Sequence, residues 1–255
     1  MRKLLLLPVV FLLFVAGSCE DEIRDPIDLA ADQAFFPLEL NQPLFYDQDS
    51  IVVFNTAAGV VYDTSRSEVR ETLVERIEES DGTINYRGER WQRANESAPW
   101  RFVLTYTVSR TPTAAFRTED NLQFTKLIFP LRNNRSWDGN AAFDNRREVV
   151  VGGEFLDVFN GWDYRYEQTN EEVTTPGGNS YANATLVRQA DVSDNLIDQR
   201  IAYEVYVSGV GLVERYLDAR HTQCRVCCNL DTELCFNLPW DEKAEKGFIL
   251  RQVLR

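Results

Sequence analysis

The chain has 255 residues with 40 acidic and 27 basic side chains, and its formal net charge at pH 7 is −13. A surface this acidic repels phosphate groups, so we expect no binding to nucleic acid. The sequence contains one histidine, His221, which excludes multi-histidine zinc or iron sites and leaves a single residue for any histidine-dependent catalysis.

The first eighteen residues have the layout of a secretory signal peptide. Arg2 and Lys3 give a positive start, and the apolar run Leu4–Ala16 follows. The run has about 13 residues, whereas a helix that spans a bilayer needs roughly 20. We therefore predict that residues 1–18 are an export signal that is removed.

The residues around Cys19 indicate a lipid anchor. Ala16–Cys19 resembles the lipobox of bacterial lipoproteins, which implies that Cys19 carries acyl chains that hold the protein on a membrane. The alternative is an ordinary signal peptide with an incidental cysteine. Acidic residues 20–22 resemble the export signal of Bacteroidota-type lipoproteins, which implies an outer-membrane protein exposed on the cell surface. If they only keep the linker soluble, the protein can instead face the periplasm. Residues 19–33 are predicted to be an acidic tether.

Residues 34–255 are predicted to form one β-rich domain. Short runs of alternating or branched apolar residues are typical of strands, and turn sequences such as Asp81-Gly82 and Asp138-Gly139 separate them. The predicted strands include residues 51–54, 102–108, 122–131, 201–207 and 248–254.

The segment from Val69 to Ile77 fits two structures. Val69, Leu73, Val74 and Ile77 have helical spacing, but Val69, Leu73 and Ile77 also share one face of a strand. The turn at Asp81-Gly82 favours a β-hairpin, so we predict a strand.

Many short strands with few helical patterns indicate a mostly β fold. We predict a single curved antiparallel sheet, arranged as an open barrel or a sandwich, with little helix. Its concave face would need to be covered by a helix, the tether or a ligand.

Six short segments, spread over nearly the whole chain after the signal peptide, occur in the same order in a known family. They are Phe36–Leu38, Gln48–Val52, Leu127–Pro130, Ser136–Asn140, Gly209–Val213 and Ile249–Gln252. In these segments the chain resembles a group of uncharacterised Bacteroidota-type outer-membrane or surface lipoproteins. It departs from them at residues 41–46, where the family has a glycine followed by a tryptophan. The resemblance implies a β-rich lipoprotein and no particular activity.

Four cysteines lie close together, at positions 224, 227, 228 and 235. An exported protein meets an oxidising environment, so two disulfides are expected. Adjacent cysteines do not readily reach disulfide geometry, so we expect Cys224–Cys227 with Cys228–Cys235, or Cys224–Cys228 with Cys227–Cys235. The disulfides would staple a loop over residues 221–240.

Two alternatives remain for the cysteines. Three or four of the thiolates could hold zinc, with His221 as a further ligand, or the C-x2-C pair could be redox-active. Within the loop, Phe236 and Trp240 are expected to pack in the core, although they could form an exposed aromatic contact.

Other candidate sites have weaker patterns. Glu119, Asp120, Asp138 and Asp144 could supply the paired carboxylates of a hydrolase, and residues 138–144 could bind calcium, although a tight turn explains them better. Trp137, Trp162, Tyr164 and Tyr166 could line a sugar- or lipid-binding surface, but aromatic residues in β proteins usually form the core.

These patterns favour a membrane-anchored, non-catalytic binding or structural module without a cofactor. Its ligand could be a protein, a glycan or a lipid. A carrier of a lipid or other apolar molecule inside an open barrel is the first alternative, and a carboxylate-dependent hydrolase is the second.

Overall fold

Strands make up most of the described chain, which comprises residues 29–193 and 195–255 of the computed structural model. In chain order the strands are β1 Leu44–Thr56, β2 Gly59–Glu78, β3 Ile84–Arg93, β4 Arg101–Arg110, β5 Ala114–Glu119, β6 Leu122–Ile128, β7 Ser136–Trp137, β8 Glu148–Val151, β9 Glu154–Asp157, β10 Tyr164–Thr174, β11 Ser180–Val192, β12 Asp198–Val207, β13 Gly211–His221 and β14 Lys246–Leu254. The helices are α1 Leu29–Gln33, α2 Thr232–Asn237 and α3 Trp240–Lys243. None of the helices in these ranges has the length and apolar character needed to cross a bilayer.

Twelve of the described strands form one antiparallel sheet in the order β6-β5-β4-β3-β2-β1-β14-β13-β12-β11-β10-β7, while β8 and β9 pair with each other. The chain therefore forms two meanders, and the pairing of β1 with β14 joins them. The sheet curves into a nearly closed barrel, which confirms the predicted mostly β, single curved antiparallel sheet with little helix.

The barrel closes where its two edges meet, at β6 on one side and β7 with β10 on the other. Thr125 N–H donates a 2.8 Å hydrogen bond to the carbonyl of Gly139, and Trp137 Nε1 donates one of 2.8 Å to the carbonyl of Thr125. Tyr166 Oη accepts the N–H of Ile128 at 2.8 Å. These contacts satisfy backbone groups that would otherwise form an open sheet edge.

The segment after α1 covers one end of the barrel, which we call the mouth. Phe35 is buried in the interior core, and the Phe36 ring lies 6.3 Å from the Tyr206 ring. Asp32, on α1, accepts the N–H of Leu131 at 2.8 Å. Helix α1 thus fixes the last part of the predicted tether to the barrel. Residues 1–28, including the predicted signal peptide and Cys19, lie outside the described residues.

A hairpin also covers part of the outer surface. β10 and β11 pair with several bulges, and Val173 and Leu186 on this hairpin pack with Tyr203 and Val213. As a result β12 is buried on both faces, and neighbouring residues Tyr203 and Glu204 are both inaccessible.

The segment with two possible structures is a strand, as predicted. Val69, Leu73 and Ile77 all lie in β2, and a turn at residues 81–82 leads into β3. Gly82 has φ +84°, a conformation that glycine adopts without steric cost. The strands predicted at residues 51–54, 102–108, 122–131, 201–207 and 248–254 correspond to β1, β4, β6, β12 and β14.

Candidate functional site

The cysteines of the stapled loop, residues 221–240, form two disulfides in an arrangement that corrects both pairings expected from the sequence. Cys224 joins Cys235 with a Cα–Cα distance of 5.8 Å, and Cys227 joins its neighbour Cys228. The cause is a tight reversal of the chain. Cys224 takes φ +56°, and its carbonyl accepts the N–H of Leu230 at 2.7 Å, which directs α2 and Cys235 back onto Cys224.

Buried polar contacts hold this loop in one conformation. The carboxylate of Glu245 accepts backbone N–H groups of Gln223, Arg225 and Val226 at 2.7–2.8 Å. Asp231 caps α2 by accepting the N–H of Leu234 at 3.0 Å. The loop is therefore fixed at both ends by side-chain acceptors in addition to its disulfides.

Four large apolar side chains of the loop are nevertheless exposed. The exposed fraction is 55% for Val226, 63% for Leu230, 49% for Leu234 and 64% for Phe236. We call these four residues the apolar loop surface. The expectation that Phe236 packs in the core is wrong, because α2 buries Cys235 and turns Phe236 outward. Trp240 is half-buried, with Lys243 Nζ 4.6 Å from its ring centre.

The alternative zinc site is assembled only in part. Sulfur atoms of Cys227, Cys228 and Cys235 lie within 4.8 Å of one another, and among the described residues neither Cys224 nor His221 belongs to this group. His221 Nδ1 instead lies 2.8 Å from Asp198 Oδ1, and this hydrogen bond lowers the pKa of Asp198. Three of the candidate thiolates are therefore close together, and the further candidate ligand His221 is not among them.

The barrel interior contains a group of charged residues, of which the sequence patterns singled out only Glu119. We call them the ionic cluster: Glu71, Arg90, Arg117, Glu119, Lys126, Glu204 and Arg215. The sequence did indicate that some of these charges point inward, because Glu71 shares a strand face with buried Val69 and Glu204 shares one with buried Tyr206. The alternation of side chains along a strand does not show which charges meet across a barrel.

Two arginines and two glutamates form one half of the ionic cluster. Arg117 lies 2.9 Å from Glu71 and 2.8 Å from Glu119, and Arg90 lies 2.7 Å and 2.6 Å from the same two carboxylates. The Arg117 guanidinium also lies 3.7 Å from the centre of the Tyr106 ring. Gly88 on β3 leaves space for this ring, because a Cβ at that position would overlap it.

The other half of the cluster is centred on Glu204. Its Oε1 lies 2.7 Å from Lys126 Nζ and 2.8 Å from Arg215 Nε. Its Oε2 accepts hydrogen bonds from Gln189 Nε2 at 2.9 Å and Tyr206 Oη at 2.6 Å. One carboxylate thus serves two buried cations.

Burial and charge act against each other on the pKa values of the cluster. Burial raises the pKa of a carboxyl, but Arg117 and Arg90 outweigh it and hold the pKa of Glu71 well below its usual value and that of Glu119 at about 2. Against the same effect of burial, Lys126 and Arg215 lower the pKa of Glu204 to about 2. For Lys126, burial outweighs Glu204 and lowers the pKa to about 8.

A small cavity lies between the ionic cluster and the mouth. Its volume is about 90 Å³, and its lining combines Glu71, Arg117, Lys126 and Arg215 with apolar side chains of the mouth. Sites for drug-sized ligands are usually about 300–1,000 Å³. The cavity is therefore too small for a long acyl chain.

The remaining sequence candidates have structural roles. Tyr164 and Tyr166 are fully buried, and Trp137 and Trp162 pack against the same interior core, so the core interpretation is correct. Asn140 N–H donates to Asp138 Oδ1 at 2.9 Å, which agrees with a tight turn.

Comparisons with known proteins give only distant structural likenesses. No protein-family model and no curated protein matches the sequence. A structure described as a lipoprotein from Parabacteroides distasonis ATCC 8503 is 12% identical, with a TM-score of 0.38 over 87% of this chain and 98% of that one. An exported protein with a YmcC-like fold from Bacteroides fragilis NCTC 9343 is 10% identical, with a TM-score of 0.30 over 84% of this chain and 95% of that one. At these TM-scores the likenesses carry no argument about function.

Proposed function

We propose that the chain is a lipid-anchored, non-catalytic binding module of the outer membrane, exposed on the cell surface, which binds a protein partner through the apolar loop surface. The lipid anchor rests on the lipobox-like sequence that ends at Cys19. The binding surface rests on the exposure of Val226, Leu230, Leu234 and Phe236.

The observation that carries this proposal is apolar exposure on a rigid support. Large apolar groups in water contribute nothing to folding, and their burial against a partner stabilises a complex by about 25 cal/mol per Å². The Cys224–Cys235 disulfide and the Glu245 hydrogen bonds already fix the loop backbone. Binding therefore costs little further ordering entropy.

The charges around the apolar loop surface indicate the kind of partner. The exposed residues close to these four in sequence include Arg225 but also four acidic residues: Asp231, Glu233, Asp241 and Glu242. An apolar centre with an acidic rim fits a protein with an apolar pocket and a basic rim. The same rim opposes insertion among anionic lipid headgroups.

The barrel interior favours this function over the two alternatives. A lipid carrier needs a wide apolar cavity, but the cavity between the ionic cluster and the mouth has about 90 Å³ with three cationic side chains in its lining, and a neighbouring cavity of about 240 Å³ is lined by Glu39 and Glu71. A carboxylate-dependent hydrolase needs a general acid with a pKa near the working pH. Glu119 and Glu204 instead have pKa values lowered to about 2 by their cationic neighbours.

Site-specific photo-crosslinking in cells that make the full lipidated chain tests the proposal. A benzophenone amino acid replaces Phe236, and the matched control has it at Phe155, which is 59% exposed on β9. We expect one discrete protein adduct from position 236 that is absent from position 155.

Three results would contradict the proposed protein partner. They are the same adducts from both positions, lipid adducts alone from position 236, and an adduct of twice the chain's own mass, which would identify a second copy.

A further inference from the structure

The ionic cluster contains more positive than negative charge. Its cations are Arg90, Arg117, Lys126 and Arg215, and its anions are Glu71, Glu119 and Glu204. Four cations therefore face three carboxylates. The other close polar partners, such as Gln189 and Gln252, are neutral.

The excess positive charge lies beside the cavity. Glu71 and Glu119 pair with Arg90 and Arg117, whereas among the described residues Glu204 is the one carboxylate in direct ion-pair contact with Lys126 and Arg215. The side chains of Lys126 and Arg215 are only 8% and 14% exposed. An unmatched charge at this depth is costly unless a further anion compensates it.

Much of the remaining cavity wall is apolar. The lining of the cavity includes Leu44, Leu73, Val108 and Leu212 as well as Phe36 and Pro37, and Glu71 is its one carboxylate. A second cavity of about 240 Å³ shares Pro37, Leu44 and Leu73 with the first. The second cavity is also lined by Glu39 and Glu71, whereas the three cations line only the first, where Glu71 is already paired with Arg90 and Arg117.

We propose that the mouth of the barrel binds a small organic anion, with its carboxylate or similar acidic group against the faces of Lys126 and Arg215 that line the cavity and its short apolar part against Leu44 and Leu73. The smaller cavity, which the cations line, accommodates the acidic group, and Leu44 and Leu73, which line both cavities, contact the apolar part. This site is separate from the apolar loop surface, so either can fail without the other.

The protonation of Lys126 supports the same site. Burial lowers its pKa to about 8 against the attraction of Glu204, and the charged groups that face it are Glu204, Arg215 and Arg117. A bound anion stabilises the protonated amine. Anion affinity should therefore decrease when Lys126 loses its proton above about pH 8.

Calorimetric titration of the mature chain, with Cys19 replaced to keep it soluble, tests the site. Hexanoate provides both an acidic and an apolar group, hexanol only the apolar group and inorganic phosphate only the charge. We expect hexanoate to bind more tightly than either of the others. Lys126→Met should weaken hexanoate by at least about tenfold, which is roughly 1.4 kcal/mol.

Two controls keep the test decisive. Lys243→Met removes another buried lysine, one that lies over Trp240 in the stapled loop, and should leave hexanoate binding unchanged. If Lys126→Met does not fold, the wild-type chain at pH 7 and pH 9.5 supplies the comparison, with weaker binding expected at pH 9.5. Three results would overturn the proposal. They are an absence of hexanoate binding, equal affinity for phosphate and hexanoate, and a hexanoate affinity that changes neither with Lys126→Met nor with pH.

Discussion

The barrel interior and the stapled loop place charge and apolar surface in opposite ways. Seven charged side chains lie inside the barrel, where they are paired at 2.6–2.9 Å. Four apolar side chains are exposed on the loop, where disulfides and the Glu245 carboxylate fix the backbone. Charged side chains thus occupy the interior space that a carrier would need for its ligand. The loop exposes apolar side chains that are not part of the folded core.

The two regions should therefore respond differently to substitution. Changes in the ionic cluster should affect stability, because the buried charges depend on one another. Changes on the apolar loop surface should affect binding and leave stability almost unchanged.

Arg117→Met should have the largest effect on stability. It leaves the buried carboxylates of Glu71 and Glu119 with Arg90 as their shared cation, and breaking a buried ion pair typically costs about 3–5 kcal/mol. Urea denaturation measures the loss. The matched control is Arg87→Met, which breaks exposed pairs with Glu75 and Glu89 and should cost at most about 1 kcal/mol. Equal losses for the two variants would contradict a cooperative interior cluster.

The pH dependence of stability should differ between the wild type and Lys126→Met. The folded pKa of Lys126 is about 8 and its ordinary value is 10.5, so between these pH values the unfolded state binds more protons. Wild-type stability should therefore increase relative to Lys126→Met as the pH rises from 8 to 10.5, by up to about 3 kcal/mol. Taking the difference between the two proteins cancels the tyrosines, which titrate in both. If the difference in unfolding free energy between the two proteins stayed constant from pH 8 to 10.5, the pKa of Lys126 would not be lowered in the folded state.

Removal of the Cys224–Cys235 disulfide should have the next largest effect. It closes a loop with a sequence separation of 11, so the double variant with serine at both positions should lose about 3 kcal/mol. The corresponding double variant at Cys227 and Cys228 opens a much smaller ring and should lose about 1 kcal/mol. Urea denaturation of both variants measures the difference.

Peptide mapping tests the pairing itself. Cleavage of the unreduced chain after Arg225 and before Asp231 should release residues 226–230 as a separate peptide that contains the Cys227–Cys228 bond. Either pairing expected from the sequence would instead keep all three fragments joined.

Phe236→Ser should change stability least. Its side chain is 64% exposed, and surface substitutions usually stay within about 0.5 kcal/mol. With a benzophenone amino acid at Leu234, the same substitution should reduce formation of the protein adduct. A large loss of stability would show that Phe236 belongs to the core after all.

Much of the fold could be predicted from the sequence. Strand alternation located β1, β4, β6, β12 and β14, and turn chemistry correctly identified residues 69–77 as a strand. These patterns are local, so a single sequence contains them.

The ionic cluster and the disulfide pairing could not be predicted in the same way. Glu71 and Arg117 are 46 residues apart and meet because of the strand order of the whole sheet. The disulfide pairing depends on residues with positive φ, Cys224, Asn229 and Leu230, and none of these is a glycine that would have marked the turn.

A native mass spectrum of the mature chain, made in the periplasm with Cys19 replaced, tests the central contrast most directly. A filled, charged interior predicts the mass of the chain less the four hydrogens lost in two disulfides, alone or with one small organic anion. A tightly held mass excess of the size of a lipid would contradict this account, because it would show that the barrel opens around an acyl chain and acts as a carrier.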